Sequence, residues 1–372
     1  MKGLNMEKMQ SKFAGIADTR HPGYVEHNLA DMLVIVMCAV LCGLDELGDI
    51  LLFAQQRKDF LKKQFGIAKI PSKPTLSRIL DMVDGEAVGE VIVGIMKQTA
   101  GCAGDVLAVD GKAVACTAKP QNPHSALHIL TAYLTESGVV LGQKAVREKT
   151  NEIPVFQEML GLLDISGKTL TADALHCQKE TCRKIVEKGG HYVLGLKENQ
   201  KTLHDDAALF FEGMADAEAF ETFRTVEKNA GRIEARTCRK IKDLSWLEGR
   251  GDWTGLQTIF QVRRVIEGPR GRSDETCYYI SDLDASAEKL LHIAREHWKI
   301  ESFHWMLDVV FSEDDCRILS ENGHKTLNAF RKLALLVHKR FIAKHRKKSS
   351  TKAHLLACLL DETLLKQVCD NL

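Results

Sequence analysis

Apolar positions at helical spacing dominate the first hundred residues. The run LADMLVIVMCAVLCGL (29–44) is almost wholly apolar, and residues 45–66 then repeat apolar positions every three or four residues. The run contains Asp31 and is shorter than a membrane span requires, so it predicts a buried helix. We therefore expect residues 1–100 to form a helical N-terminal domain that could bind DNA.

One segment of this domain, PSKPTLSRIL (71–80), carries a signal for the start of a helix. Prolines punctuate its beginning, and Ser72 or Thr75 can cap the helix that follows. Ser77 and Arg78 on such a helix could enter a DNA groove, although an ordinary packing helix fits the pattern better.

The pattern changes near residue 105, where alternation typical of strands begins. Strand-like runs at 105–116, 126–135 and 139–146 predict a three-strand meander, with ESG as the turn between the last two. The pattern then predicts a helix, a strand, a second helix and a fifth strand, at 151–164, 167–173, 177–190 and 191–197. This order predicts an α/β fold, a ribonuclease H-like mixed sheet in which the first and fourth strands are neighbours.

The rest of the chain divides by the same criteria. Residues 101–221 are predicted to hold the first part of the α/β core, and three strand-like runs separated by turn signals predict a β-rich insertion over 222–283. Helical sequence then predicts the second part of the core at 284–345 and a helical tail at 346–372.

The segment 295–315 has helical periodicity, but polar groups stand beside its apolar stripe. Apolar side chains recur around Ile300 at helical spacing, at Ile293, Phe303, Leu307, Val310 and Phe311. Next to this core-facing stripe lie His297, Glu301, His304 and Asp308. Because burial makes a charge costly, a half-buried Glu301 needs a reason to be there.

Two aspartates that follow apolar strands offer that reason. Asp110 comes after Val106–Val109 and Asp173 after Thr169–Ala172. Acids at strand ends lie at the rim where open α/β sheets place ligands, and neighbouring strands would bring the two backbones within about 5 Å. Two carboxylates this close repel unless one is protonated or a cation joins them, and such oxygen ligands suit Mg²⁺ or Mn²⁺. We expect Glu301 to supply the third carboxylate.

Other interpretations of these residues remain open at this point. An acid after a strand is most often a cap, and Asp173 could cap the next helix. A half-buried helical glutamate is more often paired with a histidine or arginine than catalytic. His297, Glu301 and His304 could also bind zinc, although the HExxH spacing is absent.

Composition narrows the class of protein without naming a function. The 372 residues are 45% hydrophobic and 27% charged, which is typical of a soluble globular protein with a large core. Eleven scattered cysteines without a CxxC pair predict neither disulfides nor zinc knuckles, so we expect reducing cytoplasm and no membrane association. Net charge is +1, but residues 331–348 carry eight Lys or Arg and no acid, which predicts a solvated face that could also meet a phosphate backbone.

Seven motifs occur in order along the chain: AVDGK (108–112), KTNEIPVFQEML (149–160), TADALHCQ (171–178), YVLGLKENQ (192–200), GRIEAR (231–236), YYISDL (278–283) and HWKIESFHWMLDVVFSEDD (297–315). Together they resemble the DDE transposases of bacterial insertion sequences, most closely the H-repeat-associated branch. Single motifs of this kind are weak evidence, but seven at matching intervals are strong. The resemblance covers nearly the whole chain.

The resemblance implies Mg²⁺-dependent cleavage and strand transfer at element ends, in the bacterial cytoplasm, by a homodimer on double-stranded DNA. It matches Asp110, Asp173 and Glu301 to the three family acids, which would hold two Mg²⁺ ions about 3.5–4 Å apart, with Mn²⁺ as a substitute. The expected DNA contacts are Lys197, Asn199 and Gln200 beyond the fifth strand, Arg232 and Arg236 in the insertion, and His297 and Trp298 beside the glutamate.

Some positions depart from the family pattern. Ala115 and Ala230 stand where the branch usually has arginine and histidine, and Asp308 stands where related transposases have lysine. Two alternatives therefore accompany the transposase hypothesis. One is a metal-dependent nuclease or resolvase without strand transfer, and the other is a DNA-binding remnant that has lost catalysis.

Overall fold

The computed structural model describes residues 6–118, 121–122, 125–146, 152–214, 217–229, 231–269, 271–318, 320–345 and 348–372. Ala230, and residues 149–151 of the second motif, lie outside these ranges. Six helices come first: α1 Met6–Phe13, α2 Leu29–Val40, α3 Leu47–Gln56, α4 Lys58–Phe65, α5 Lys73–Met82 and α6 Gly85–Ala100.

Helix α2 is the buried helix that the apolar run predicts. Every residue of Leu29–Val40 except Asp31 is buried, because the other helices surround it. Within the described part of the chain, no helix combines the length and the apolar character needed to cross a bilayer. The Ser72 side chain accepts a hydrogen bond from the Thr75 backbone N–H at the start of α5, whose apolar face is buried. Arg78 is exposed on the opposite face of α5.

The strands and helices that follow appear in the predicted order. They are β1 Val106–Val114, β2 Leu127–Leu134, β3 Val140–Val146, α7 Glu152–Leu162, β4 Thr169–Ala172, α8 Lys179–Glu187 and β5 His191–Leu196. Strands β1 and β4 are parallel neighbours, as predicted, and every residue of the short strand β4 is buried. Such burial is expected for a central parallel strand that is covered on both faces.

The predicted insertion joins the same sheet. Helix α9 (Lys201–Gly213) leads into β6 Phe220–Asn229, β7 Arg232–Ile241, β8 Thr258–Gly268 and β9 Gly271–Ser281. Strand β9 pairs antiparallel with β5, so the sheet has the order β3-β2-β1-β4-β5-β9-β8-β7-β6. Strand β6 was not among the predicted runs, because its many charged residues hide the strand pattern.

Four helices complete the described chain: α10 Ala287–Phe311, α11 Glu321–His345, α12 Thr351–Leu360 and α13 Glu362–Asp370. Helix α10 crosses the sheet and contacts β1, β4 and the strands of the insertion. Its predicted apolar stripe is buried, with Val310 half-buried, and Phe303 stacks on Tyr133 of β2 at 4.6 Å between ring centroids.

The prediction of a solvated basic face at 331–348 is wrong for its first half. Residues 331–338 of α11 are all buried between the N-terminal helices and the sheet. Arg331 and Lys332 are therefore interior residues, and only the later basic residues of α11 are exposed.

Candidate active site

Asp110 and Asp173 lie next to each other at the point where two parallel strands separate. The pairing of β1 with β4 ends at Val109 and Ala172, and the two aspartates are the next residues. Asp110 was expected at the end of its strand. Instead, β1 continues beside β2, where Asp110 pairs with Thr131. Asp173 stands before a short 3-10 turn but makes no capping hydrogen bond through its side chain, so the capping interpretation is wrong.

Helix α10 brings Glu301 to the same rim. The buried residues Ile300 and Phe303 fix the face that α10 turns to the sheet. One turn after Glu301, the His304 Nδ1 atom lies 3.3 Å from Asp110 Oδ2. Glu301 as a whole is exposed, not half-buried as expected, because it lies at the margin of the packed face.

Asp110 affects the ionisation of both other carboxylates. Although 52% of the Asp173 side chain is exposed, partial burial raises its pKa, and the negative charges of Asp110 and Glu152 raise the pKa further, against His176 and His297. Partial burial also raises the pKa of Glu301, with Asp110 as the next cause, against lowering by Arg264 and Lys197. Asp110 therefore stands within electrostatic reach of both other acids.

Asp110 itself remains ionised more readily than the other two acids. Burial would raise its pKa, but the hydrogen bond and the charge of His304, together with His297, lower the pKa below its usual value. A carboxylate with a lowered pKa beside two with raised pKa values is an arrangement in which a bound cation would relieve repulsion.

His297 lies within electrostatic reach of both aspartates. Its Nδ1 atom is 3.1 Å from the Thr171 hydroxyl of β4. Burial lowers the pKa of His297, although Asp110 and Asp173 oppose that shift, so the imidazole is neutral at pH 7. Within the described residues, the ligand atoms of His297, Glu301 and His304 do not all come within 4.8 Å of one another, so the zinc alternative finds no support. The carboxylate oxygens of Asp110, Asp173 and Glu301 do not meet that spacing either.

The three candidates beyond β5 have different surroundings. Lys197 is exposed and close enough to Glu301 to lower its pKa. Asn199 donates a hydrogen bond to the Ala174 carbonyl at 2.6 Å, and Gln200 donates one to the Cys177 carbonyl at 3.0 Å. These two amides therefore brace the turn that follows Asp173, whereas the Lys197 ammonium faces solvent.

The candidate DNA contacts on the insertion and on α10 also differ in their surroundings. Trp298 lies beneath two guanidinium groups, with Arg264 at 4.5 Å and Arg236 at 5.5 Å from its ring centroid. Arg236 is buried and paired with Glu234 at 2.7 Å. Arg232 lies four residues before Arg236 on β7, about 13 Å away at strand spacing. It is exposed and borders an open hollow of about 540 Å³.

A buried ion network next to the acids has no counterpart in the sequence-based predictions. Lys112 lies two residues after Asp110 on the same face of β1, and its Nζ contacts Asp308 Oδ1 at 2.8 Å and Glu313 Oε2 at 2.9 Å. Glu313 is fully buried and also accepts from Arg331, whose Nη2 lies 2.6 Å from Asp45 Oδ2. Asp308, which departs from the family pattern, thus forms an ion pair with Lys112 of β1.

One further departure, Ala115, can be placed, and one more acid lies beside the site. The Ala115 backbone N–H donates to Asp314 Oδ1 at 2.9 Å, which ties the end of β1 to the turn after α10. Glu152, the first residue of α7, is buried 3.3 Å from His176 Nε2. A Cβ at Gly111 would lie 2.7 Å from Glu152 Oε1, so any side chain at this position would force the Glu152 carboxylate to move. The occurrence of Glu152 in a family motif was the only sequence signal for it.

Family models match most of the chain. The family described as "Transposase DDE domain" matches residues 101–337, which include β1 to β9, α10 and the three acids. A second family, described as "DDE_Tnp_1-associated", matches residues 10–94 in the N-terminal helices.

Known proteins resemble the chain along its length. "Putative transposase YncI" of Escherichia coli O157:H7 is 31% identical over 97% of this chain and 95% of its own length. "H repeat-associated putative transposase YhhI" of Escherichia coli strain K12 is 32% identical over 89% of this chain and 90% of its own length. A cryo-EM structure of the piggyBac transposase synaptic complex with hairpin DNA aligns with a TM-score of 0.46 at 11% identity, covering 98% of this chain and 80% of that chain. A likeness of that size carries no conclusion about this chain.

The matches of domain and full-length relatives agree with the seven motifs. The chain belongs to the DDE transposase family, in its H-repeat-associated branch.

Proposed function

We propose that this chain cleaves DNA at the ends of a bacterial insertion sequence and joins the freed ends to target DNA, with Asp110, Asp173 and Glu301 as metal ligands. The observation that carries the proposal is electrostatic proximity: the carboxylate oxygens of these acids do not all lie within 4.8 Å of one another in the described residues, so ion binding would have to draw them together. They come from β1, from the end of β4 and from α10, yet Asp110 influences the ionisation of both others. On this proposal, strands β1 to β5 form a ribonuclease H-like core, and β6 to β9 are its insertion.

The chemistry of the donor set fits Mg²⁺, with Mn²⁺ as a substitute. Carboxylate oxygens are the ligands these hard cations prefer, and the raised pKa values of Asp173 and Glu301 reflect burial and repulsion that a divalent charge would offset. When bound, such ions activate a water or a 3′-hydroxyl for attack on phosphorus and stabilise the leaving oxygen.

The protein's own residues would align the acids and neutralise the substrate. The His304 contact orients the Asp110 carboxylate toward α10. Neutral His297, within electrostatic reach of both aspartates, can donate or accept a hydrogen bond at the substrate without adding repulsion. The exposed ammonium of Lys197 would offset the charge of a phosphate beside Glu301.

The substrate is double-stranded DNA, and the reaction implies two copies of the chain. Cutting and joining two element ends requires two sets of acids, so we propose a homodimer that forms on DNA in the bacterial cytoplasm. Arg232 and its open hollow at the outer end of the insertion are candidates for contacts with the DNA backbone away from the acids.

Single alanine substitutions of Asp110, Asp173 and Glu301 test the proposal. The substrate is DNA that carries the inverted repeats flanking the reading frame, with nicking and joining followed in Mg²⁺. Each variant should lose both activities by more than about 100-fold, beyond the 10–100-fold cost of losing an outer-shell partner of a metal. Asp105→Ala, at the exposed start of β1, and Glu288→Ala, at the exposed first turn of α10, should remain active.

The same assay separates the alternatives. Full activity in any of the three variants, with the fold intact, would remove that residue from the site. Hydrolysis products without joined products would favour a nuclease or resolvase. Binding to the repeats without nicking in Mg²⁺ or Mn²⁺ would favour an inactive remnant.

A further inference from the structure

A second group of possible metal ligands lies in the C-terminal helices, apart from the three acids. His338 of α11 and His354 and Cys358 of α12 are all buried. One ligand atom from each lies within 4.8 Å of the others, and in the described residues no other such group of histidine, cysteine or acid side chains occurs. Transposase chemistry makes no use of these side chains.

Both ring nitrogens of His338 are hydrogen-bonded, and the partners fix its tautomer. Its Nε2 atom lies 2.9 Å from the Leu41 carbonyl, which can only accept, so Nε2 carries the proton. The unprotonated Nδ1 atom therefore accepts a hydrogen bond from His354 Nδ1 at 2.7 Å, through the lone pair that a metal would use. A backbone carbonyl that fixes the tautomer in this way is typical of histidines that bind metals.

The other two ligands have a suitable spacing and a suitable environment. His354 and Cys358 are four residues apart on α12, so they project from the same face of the helix. The buried Cys42 thiol lies within electrostatic reach of Cys358. His338 donates through Nε2 and accepts through Nδ1, which is the neutral form of the imidazole that coordinates a metal.

We propose that His338, His354 and Cys358 bind a Zn²⁺ ion that fastens the C-terminal helices to the N-terminal domain. Two imidazoles and one thiolate are the borderline-soft ligands that zinc prefers. The ion would join α11 to α12 and, through the Leu41 carbonyl, would brace the end of α2.

Zinc would change the spacing of the two histidines. Two Zn–N bonds of about 2.0–2.1 Å at a tetrahedral angle separate the nitrogens by about 3.3 Å. The present 2.7 Å separation is that of a hydrogen bond between the rings. Binding would therefore replace this hydrogen bond with a shared metal and move the rings apart by roughly half an ångström.

Metal content measured on the full-length, tag-free chain tests the proposal independently of DNA cleavage. Protein grown with zinc should retain about one equivalent after dialysis, as counted by elemental analysis. Co²⁺ exchanged into the chain should give the absorption of a tetrahedral site with a thiolate ligand. Cys358→Ser and His354→Ala should each weaken zinc binding by more than about 100-fold.

Two control variants separate this site from other thiols and from the acids. Cys182→Ser removes a buried thiol on α8, and Asp173→Asn alters the proposed catalytic site; both should keep the zinc. Wild-type protein that neither retains zinc nor shows the Co²⁺ spectrum would overturn the proposal. So would zinc that stays with Cys358→Ser and His354→Ala, and either result can be read without any assay of transposition.

Discussion

At the scale of single residues, the negative charge of Asp110 repels those of Asp173 and Glu301 when no metal is bound. A carboxyl whose pKa is raised by folding, as that of Asp173 is, binds its proton more tightly in the native state. The native state therefore loses stability as the pH rises from the ordinary pKa, near 4, through the raised pKa. Above that window the native state holds Asp173 ionised against burial and the charge of Asp110. A bound cation should therefore stabilise the fold as well as support the reaction.

Asp173→Asn should consequently stabilise the protein when no divalent cation is added. At pH 7 we expect a rise in melting temperature of roughly 1–2 °C, which should vanish below pH 4, where the wild-type carboxyl is protonated as well. Added Mg²⁺ should stabilise the wild type and leave the variant almost unchanged. Calorimetry with Asp164→Asn, an exposed aspartate, as the control would measure both effects. A variant less stable than wild type at pH 7 would contradict this interpretation.

Lys197 should contribute to DNA binding through charge alone. Lys197→Gln is expected to weaken binding to all sequences about equally and to reduce the slope of log affinity against log salt by about one. Titration at several salt concentrations would measure this, with Lys58→Gln on α4 as the control for an exposed lysine. An unchanged slope would remove Lys197 from the DNA interface.

At the scale of elements, helix α10 is held in register with β1 by two polar contacts. His304 meets Asp110, and Asp308, one turn further on, meets Lys112. Because Asp110 and Lys112 share a face of β1, these contacts fix where Glu301 lies along the strand. Lys112 is thus a positioning residue for the glutamate.

Lys112→Met should impair the reaction more than DNA binding. A shift of Glu301 of about 1 Å can cost roughly 100-fold in rate, while the affinity for DNA should change little. Asp308→Asn should act on the same step, and the double variant should lose less than the two single losses combined. Lys289→Met, which removes an exposed lysine from α10, is the matched control. Equal losses in affinity and rate would indicate a general structural defect.

The elements of the core were predictable, whereas the contacts that join them were not. Alternation and helical spacing are local signals, so they identify β1 to β5 and place Asp110 and Asp173 side by side. The roles of Lys112 and Glu313 depend on residues about two hundred positions apart, and no local pattern records such a pair. Glu301 was predicted as a partner of the aspartates, but its exposure depends on how α10 lies on the sheet.

At the scale of the whole molecule, one buried arginine ties the N-terminal helices to the turn that follows α10. Arg331 is fully buried and pairs with Asp45, which follows α2, and with Glu313, which follows α10. Burial of Glu313 would raise its pKa, but Arg331 and Lys112 lower the pKa to about 2, so this carboxylate is ionised in the interior. The two parts of the chain are therefore joined through charges as well as apolar packing.

Arg331→Leu should leave two interior carboxylates without their main partner. We expect a loss of about 3–5 kcal/mol in the free energy of unfolding, the usual cost of removing one member of a buried ion pair. Urea denaturation would measure it, with Arg340→Leu at an exposed position of α11 as the control. A loss below about 1 kcal/mol, the range of a surface pair, would show that the network contributes little.

The pairing of β5 with β9 has a consequence for attempts to isolate the catalytic core. Residues Val193–Leu196 of β5 now pair with β9. If the insertion were excised to leave a minimal domain, their backbone N–H and C=O groups would face water along an open edge. Open edges of this kind recruit strands from other molecules, so the shortened protein would aggregate. The insertion therefore covers the edge of the sheet at β5, and we expect its removal to lower the solubility of the protein even where the catalytic residues are kept.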